Sequence, residues 1–149
     1  MCFREKSAWV SLISTLAVFA PYFRFVFSKA ANNELTRGAV IGAFIGAVVL
    51  QTVIQITVHI GIAIASKRDR EDERDAAIDA AAQRNAYVVL GCLTVVAAFG
   101  LTTMSATSAR SGAPEPPSPV LIAQILYLCF VVSELTRFAT QVARYRLGS

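Results

Sequence analysis

Residues 38–65 read GAVIGAFIGAVVLQTVIQITVHIGIAIA, an unbroken run without Asp, Glu, Lys or Arg. A helix needs about 20 apolar residues to cross the roughly 30 Å of hydrocarbon in a bilayer. This stretch exceeds that length and holds no proline, so it reads as a membrane-spanning helix. Three further apolar stretches, at 7–27, 87–104 and 120–138, approach or reach the same length. Of the 149 residues, 55% are hydrophobic, and the mean hydropathy is +0.55. That is more apolar surface than one soluble core of this size hides. The expected fold is all-α: a polytopic membrane protein whose residues 1–149 form one four-transmembrane-helix bundle, with no room for a separate catalytic domain.

Charge placement predicts the orientation. Arg4 and Lys6 precede the first span, Lys67, Arg68, Arg70, Arg74 and Arg84 fill the central connection, and Arg144 and Arg146 follow the fourth. The opposite side holds only Lys29, Arg37, Arg110 and Arg24. By the positive-inside rule both termini and the middle loop are cytoplasmic, which predicts a multi-pass protein of the bacterial inner membrane. The formal net charge of +4 then reflects topology and gives no argument for direct nucleic-acid binding. The first span has a basic start like a signal peptide, but it is about 20 residues long and has no small-x-small site at its end, so it reads as an uncleaved helix.

Within 38–65 two faces separate. Gly38, Gly42 and Gly46 repeat every fourth residue, a spacing that lets a neighbouring backbone approach closely. At about 100° per residue, Gln51, Gln55 and His59 fall around the face opposite Gly46. This helix is expected either at the centre of the bundle or between a neighbouring helix and a second protomer. The connection 66–86 is charged and Ala-rich, with no Pro or Gly, which predicts helical extensions on the cytoplasmic side. It reads as a solvated face or, more sharply, as a docking surface built on Asp72, Glu73, Arg74 and Asp75. The segment 105–119 carries Pro114, Pro116, Pro117 and Pro119 and predicts an extended outer loop. The fourth helix is expected to run past the membrane to Arg144 as one rod.

Glu134 is the most costly residue to place in lipid, because an ionised carboxylate there must pair, meet water or take a proton. Counting along the helices puts it at the level of His59, with Arg137 as a second partner three residues on. Gln51, Gln55, His59, Glu134 and Arg137 thus form a candidate intramembrane polar cluster. It reads as interhelical hydrogen bonding, as a site for proton coupling or small-ligand sensing, or, least strongly, as a metal site, since one His without an arranged second ligand is weak metal evidence. Cys2, Cys92 and Cys129 have no CxxC spacing and read as small buried apolar side chains. No Gly-rich phosphate loop, HExxH, GxSxG or CxxCH occurs in the sequence. Neither an enzyme nor a bound cofactor is expected.

The segments Glu5-Lys6-Ser7-Ala8-Trp9-Val10, Pro21-Tyr22-Phe23 and Asp72-Glu73-Arg74-Asp75, the last followed by Ile78, Arg84 and Tyr87, resemble a family of small uncharacterised four-helix prokaryotic inner-membrane proteins. That resemblance supplies no catalytic residues. It implies a gene setting like that of small membrane partners of helix-turn-helix regulators, with the Asp72 to Asp75 motif as the docking element. Two functions are therefore in view. One is a membrane interaction or sensory protein that binds a cytoplasmic regulator or joins a larger membrane complex. The alternative is a homo-oligomeric small-solute or ion/proton-coupled transporter using Gln51, Gln55, His59 and Glu134.

Overall fold

The computed structural model describes residues 3–32, 36–65, 73–111 and 118–147. They form four helices, α1 (Phe3–Ala31), α2 (Arg37–Ala65), α3 (Glu73–Ser111) and α4 (Pro119–Leu147). All four are long and apolar enough to cross a membrane. Local chemistry marks their starts. Thr36 accepts the first α2 hydrogen bond, from the Val40 N–H. At α4, Pro119 takes the first helical position, where its missing N–H costs nothing, and the Ser118 hydroxyl caps the Leu121 N–H at 3.3 Å.

The third helix differs most from the span expected at 87–104. It starts at Glu73, with Glu73 and Asp75 in the first turn, where acidic groups complement the helix dipole. The expected helical extension is therefore present from Glu73 onward, while Asp72 and the rest of 66–72 lie outside the described residues. At its other end the helix continues through 105–111, where the sequence predicts extended loop. Ser, Ala and Thr in that segment neither remove an N–H nor clash with the preceding turn. The prolines that do so begin at Pro114, and Pro114, Pro116 and Pro117 lie outside the described residues. α4 runs to Leu147 as the single rod the sequence predicts.

Side-chain bonds fix the topology. Gln51 meets Thr15 and Gln55 meets Ser11, so four residues up α2 correspond to four down α1 and the two helices are antiparallel. Asp79 with Gln141 and Asp75 with Tyr145 establish the same for α3 and α4. The helices form a row, α2–α1–α4–α3, in which α1 and α4 are central. Of the two placements expected for α2, the central one is therefore corrected: α2 lies at the edge of the row, packed on α1. α2 packs one face on α1, while Ile41, Ile45, Val49, Val53 and Ile60 are each more than half exposed on its other sides. α3 is likewise outward-facing at Val88, Val95, Val96 and Phe99. Such apolar outer surfaces belong in lipid.

The core lies between α1 and its two neighbours: Phe19, Tyr22, Phe23 and Val26 of α1 with Val40 of α2 and Val131 of α4. Tyr127 adds ring contacts to Phe19 at 5.7 Å, to Phe23 at 6.0 Å and to Phe44 of α2 at 4.9 Å. Within it the Tyr22 hydroxyl donates to Gln124 Oε1 at 2.5 Å. Tyr22→Phe is expected to cost about 1 kcal/mol, because the buried Gln124 then keeps an acceptor without that donor. Adding Gln124→Leu should recover most of the loss, as measured by reversible unfolding in mixed micelles.

Candidate functional site: a groove between α2 and α4

α2 and α4 both pack on α1 and meet each other at Phe44 and Tyr127, leaving a groove between them. Its polar lobe is a cleft of about 390 Å³ whose lining includes Thr15 of α1, Gln51 and Gln55 of α2, and Glu134 and Arg137 of α4. Four of the five polar residues singled out in the sequence therefore face one space, although they come from two helices joined mainly through α1. The side chain of the fifth, His59, lies outside the described residues. The Gln51 amide donates from Nε2 to Thr15 Oγ1 at 2.9 Å, and the Ser11 hydroxyl donates to Gln55 Oε1 at 3.3 Å. Arg137 Nη1 donates to Glu134 Oε2 at 3.2 Å, and its guanidinium carbon lies 5.4 Å from the centroid of the Phe138 ring.

Two polar atoms in this lining are left over. Gln51 Oε1 is a buried acceptor and Arg137 Nε a buried donor, each without a hydrogen-bond partner. Buried polar groups are normally paired, so each carries a desolvation cost.

A second lobe of about 770 Å³ continues the groove toward the Pro119 end of α4, lined by Val40, Phe44, Ala123, Leu126, Tyr127 and Phe130 among others. Tyr127 and Phe130 line both lobes. Except for Gln124, whose Oε1 accepts from Tyr22, the side chains of this second lobe are apolar or aromatic.

The polar lobe sits near the middle of the helices, and beyond it lies the end of the bundle where α1 begins and α4 finishes. There Arg146 pairs with the buried Glu5 at 3.6 Å and its guanidinium carbon lies 5.1 Å from the centroid of the Trp9 ring. The start of α3 is tied to the same end: Tyr145 donates to Asp75 Oδ1 at 3.1 Å, and Gln141 to Asp79 Oδ1 at 2.7 Å. Glu73 and Arg74 of the expected docking motif are exposed there, whereas Asp75 is half-buried. Both helix termini and the α3 extension thus share one charged surface.

Gly38, Gly42 and Gly46 lie on the opposite side of α2, with nothing within 4 Å of where a Cβ would stand. Their close-packing capacity is not used by any of the described residues. Cys129 is buried as expected, but Cys92 is exposed on α3; Cys2 lies outside the described residues. Sequence reasoning missed Ser11 and Thr15, which complete the polar contacts from α1, although their spacing from Ala8 and Phe19 along one helical stripe carried the signal.

Comparison of the chain with protein-family models, curated proteins and solved structures finds no match.

Proposed function

We propose that this protein is an integral membrane sensory or interaction protein, whose groove takes a ligand from the bilayer and whose charged end presents the bound state to a partner. The observation that carries this reading is the convergence of Gln51, Gln55, Glu134 and Arg137 on one cleft between α2 and α4. A polar cluster that served only to join helices would be expected to close on itself, and this one retains space and two unpaired polar atoms. Basic residues at the shared end support, by the positive-inside rule, a cytoplasmic orientation of that end in a bacterial inner membrane. The partner class is a cytoplasmic regulator of the helix-turn-helix type or a larger membrane complex. The unused glycine face of α2 suits a second copy of the chain.

α4 links the groove to that surface. Its residues run from Glu134 and Arg137 at the cleft to Gln141, Tyr145 and Arg146, which hold α3 and α1. A shift of α4 on ligand binding would therefore displace the start of α3. Reversing the exposed charges with Glu73→Lys and Arg74→Glu is expected to reduce cross-linked recovery of the native partner from membranes by about tenfold, the effect of a lost electrostatic match of 1.4 kcal/mol. Unchanged recovery would exclude this surface.

Transport by a homo-oligomer ranks second. The polar lining favours it, but the lining turns apolar beyond Tyr127, where a solute path across the membrane would need polar groups. Proteoliposome flux abolished by His59→Ala with Glu134→Gln would reverse this order.

A further inference from the structure

We propose that the groove binds a zwitterionic phospholipid whose head carries a primary ammonium, with the head in the polar lobe and an acyl chain along the apolar lobe. The proposal rests on the groove being a ligand site and names the ligand.

The two lobes have the polarity and order of an amphiphile. The polar lobe faces the end of the bundle marked by Glu5, Arg146 and Trp9, and the apolar lobe runs away from it toward Pro119. A lipid of the leaflet at the charged end has the same direction, with its head near that end and its chain toward the bilayer centre. From Arg137 to Pro119 the groove wall extends about 27 Å at 1.5 Å per residue. That exceeds the roughly 15 Å that one leaflet contributes to the hydrocarbon core, so a chain fits lengthwise. Beyond the ring contact of Phe44 with Tyr127 the groove is open along its outer side, where Ile41 and Leu126 of its lining are exposed, so a lipid can enter sideways from the bilayer.

The head chemistry follows from the charged groups in the lining. Glu134 and Arg137 put one negative and one positive group side by side in the lining. A head with net negative charge meets Glu134, and one with net positive charge meets Arg137. A zwitterion matches both. Its phosphate oxygens accept from the Arg137 guanidinium, while an ammonium donates to the Glu134 carboxylate, both side chains being about one-third exposed in the lining. A trimethylammonium head carries the same charges but no N–H, and cannot donate to that carboxylate. The lobe also lies about 10 Å along α4 from Arg144, further in than an ordinary head group sits, which makes the hydrogen-bond match decisive.

The test is native mass spectrometry of the full chain in micelles, with phosphatidylethanolamine, phosphatidylcholine and phosphatidylglycerol of identical acyl chains offered in equal amounts. The ethanolamine lipid is expected to bind about tenfold better than the choline lipid, the equivalent of one charge-assisted hydrogen bond. Glu134→Leu combined with Arg137→Leu should erase that preference while helicity by circular dichroism is retained. Equal binding of the ethanolamine and choline lipids, a preference for the glycerol lipid, or a preference that survives the double substitution would each overturn the proposal. If head-group preference is absent but the double substitution still alters partner recovery, the lipid assignment falls and the sensory reading stands. If the preference holds while partner recovery ignores every groove substitution, the lipid site stands and the sensory reading falls.

Discussion

Tyr127→Ala is expected to destabilise the protein by about 3 kcal/mol, more than any other single substitution proposed for it. The ring lies within reach of five others on three helices: Phe19, Tyr22 and Phe23 of α1, Phe44 of α2, and Phe130 of α4 itself. Its edge contacts to Phe19, Tyr22 and Phe44 are the geometry that aromatic pairs favour, each adding to what burial alone contributes. Truncation would leave a void where α1, α2 and α4 meet, and lipid chains cannot fill it without pulling α2 from the row. Tyr127→Phe keeps the ring and should stay within about 1 kcal/mol of the parent. Unfolding of both variants in mixed micelles measures the difference. Equal midpoints for Tyr127→Ala and the parent would show that α2 is held by its contacts with Ser11 and Thr15 and not by the aromatic cluster. The same substitution would remove the wall shared by the two lobes, so retention of bound lipid should fall together with stability.

The helices themselves were legible because apolar length is a direct physical requirement of crossing a membrane, and each of the four runs met or approached it. Their extensions were less legible. The expectation of a loop from 105 placed too much weight on prolines that start nine residues later, when nothing between Met104 and Ser111 opposes a helix. Which helix is central could not be read from hydropathy, since lipid and protein neighbours are both apolar and a membrane core carries no inside-out contrast in composition. α1 is central because Ala8, Ser11 and Thr15 are small enough for α2 and α4 to approach, with Phe19, Tyr22 and Phe23 filling the wider half. In the apolar run these hydroxyls look neutral. The site was more visible than the packing order: polar groups cost energy in hydrocarbon wherever they lie, so Gln51, Gln55, Glu134 and Arg137 stood out before their shared cleft was known.

The Glu134–Arg137 pair separates a structural role from a functional one. The side chains are 30% and 32% exposed, and the pair lies within one helix, so its attraction adds little to holding α4 against α1 or α2. Removing one partner is a different matter. Glu134→Gln leaves the guanidinium partly buried without its carboxylate, with Nε already unpaired, and is expected to cost about 1–2 kcal/mol after discounting for partial exposure. Glu134→Leu combined with Arg137→Leu removes both charges and both desolvation costs, so the double variant should unfold at or above the parent's midpoint. If the pair is retained for recognition, that same stable variant loses discrimination between ethanolamine and choline heads and no longer alters partner recovery on lipid exchange. A double variant less stable than either single substitution would instead make the pair a structural fastener, coupled to the helices around it beyond the contact between the two side chains.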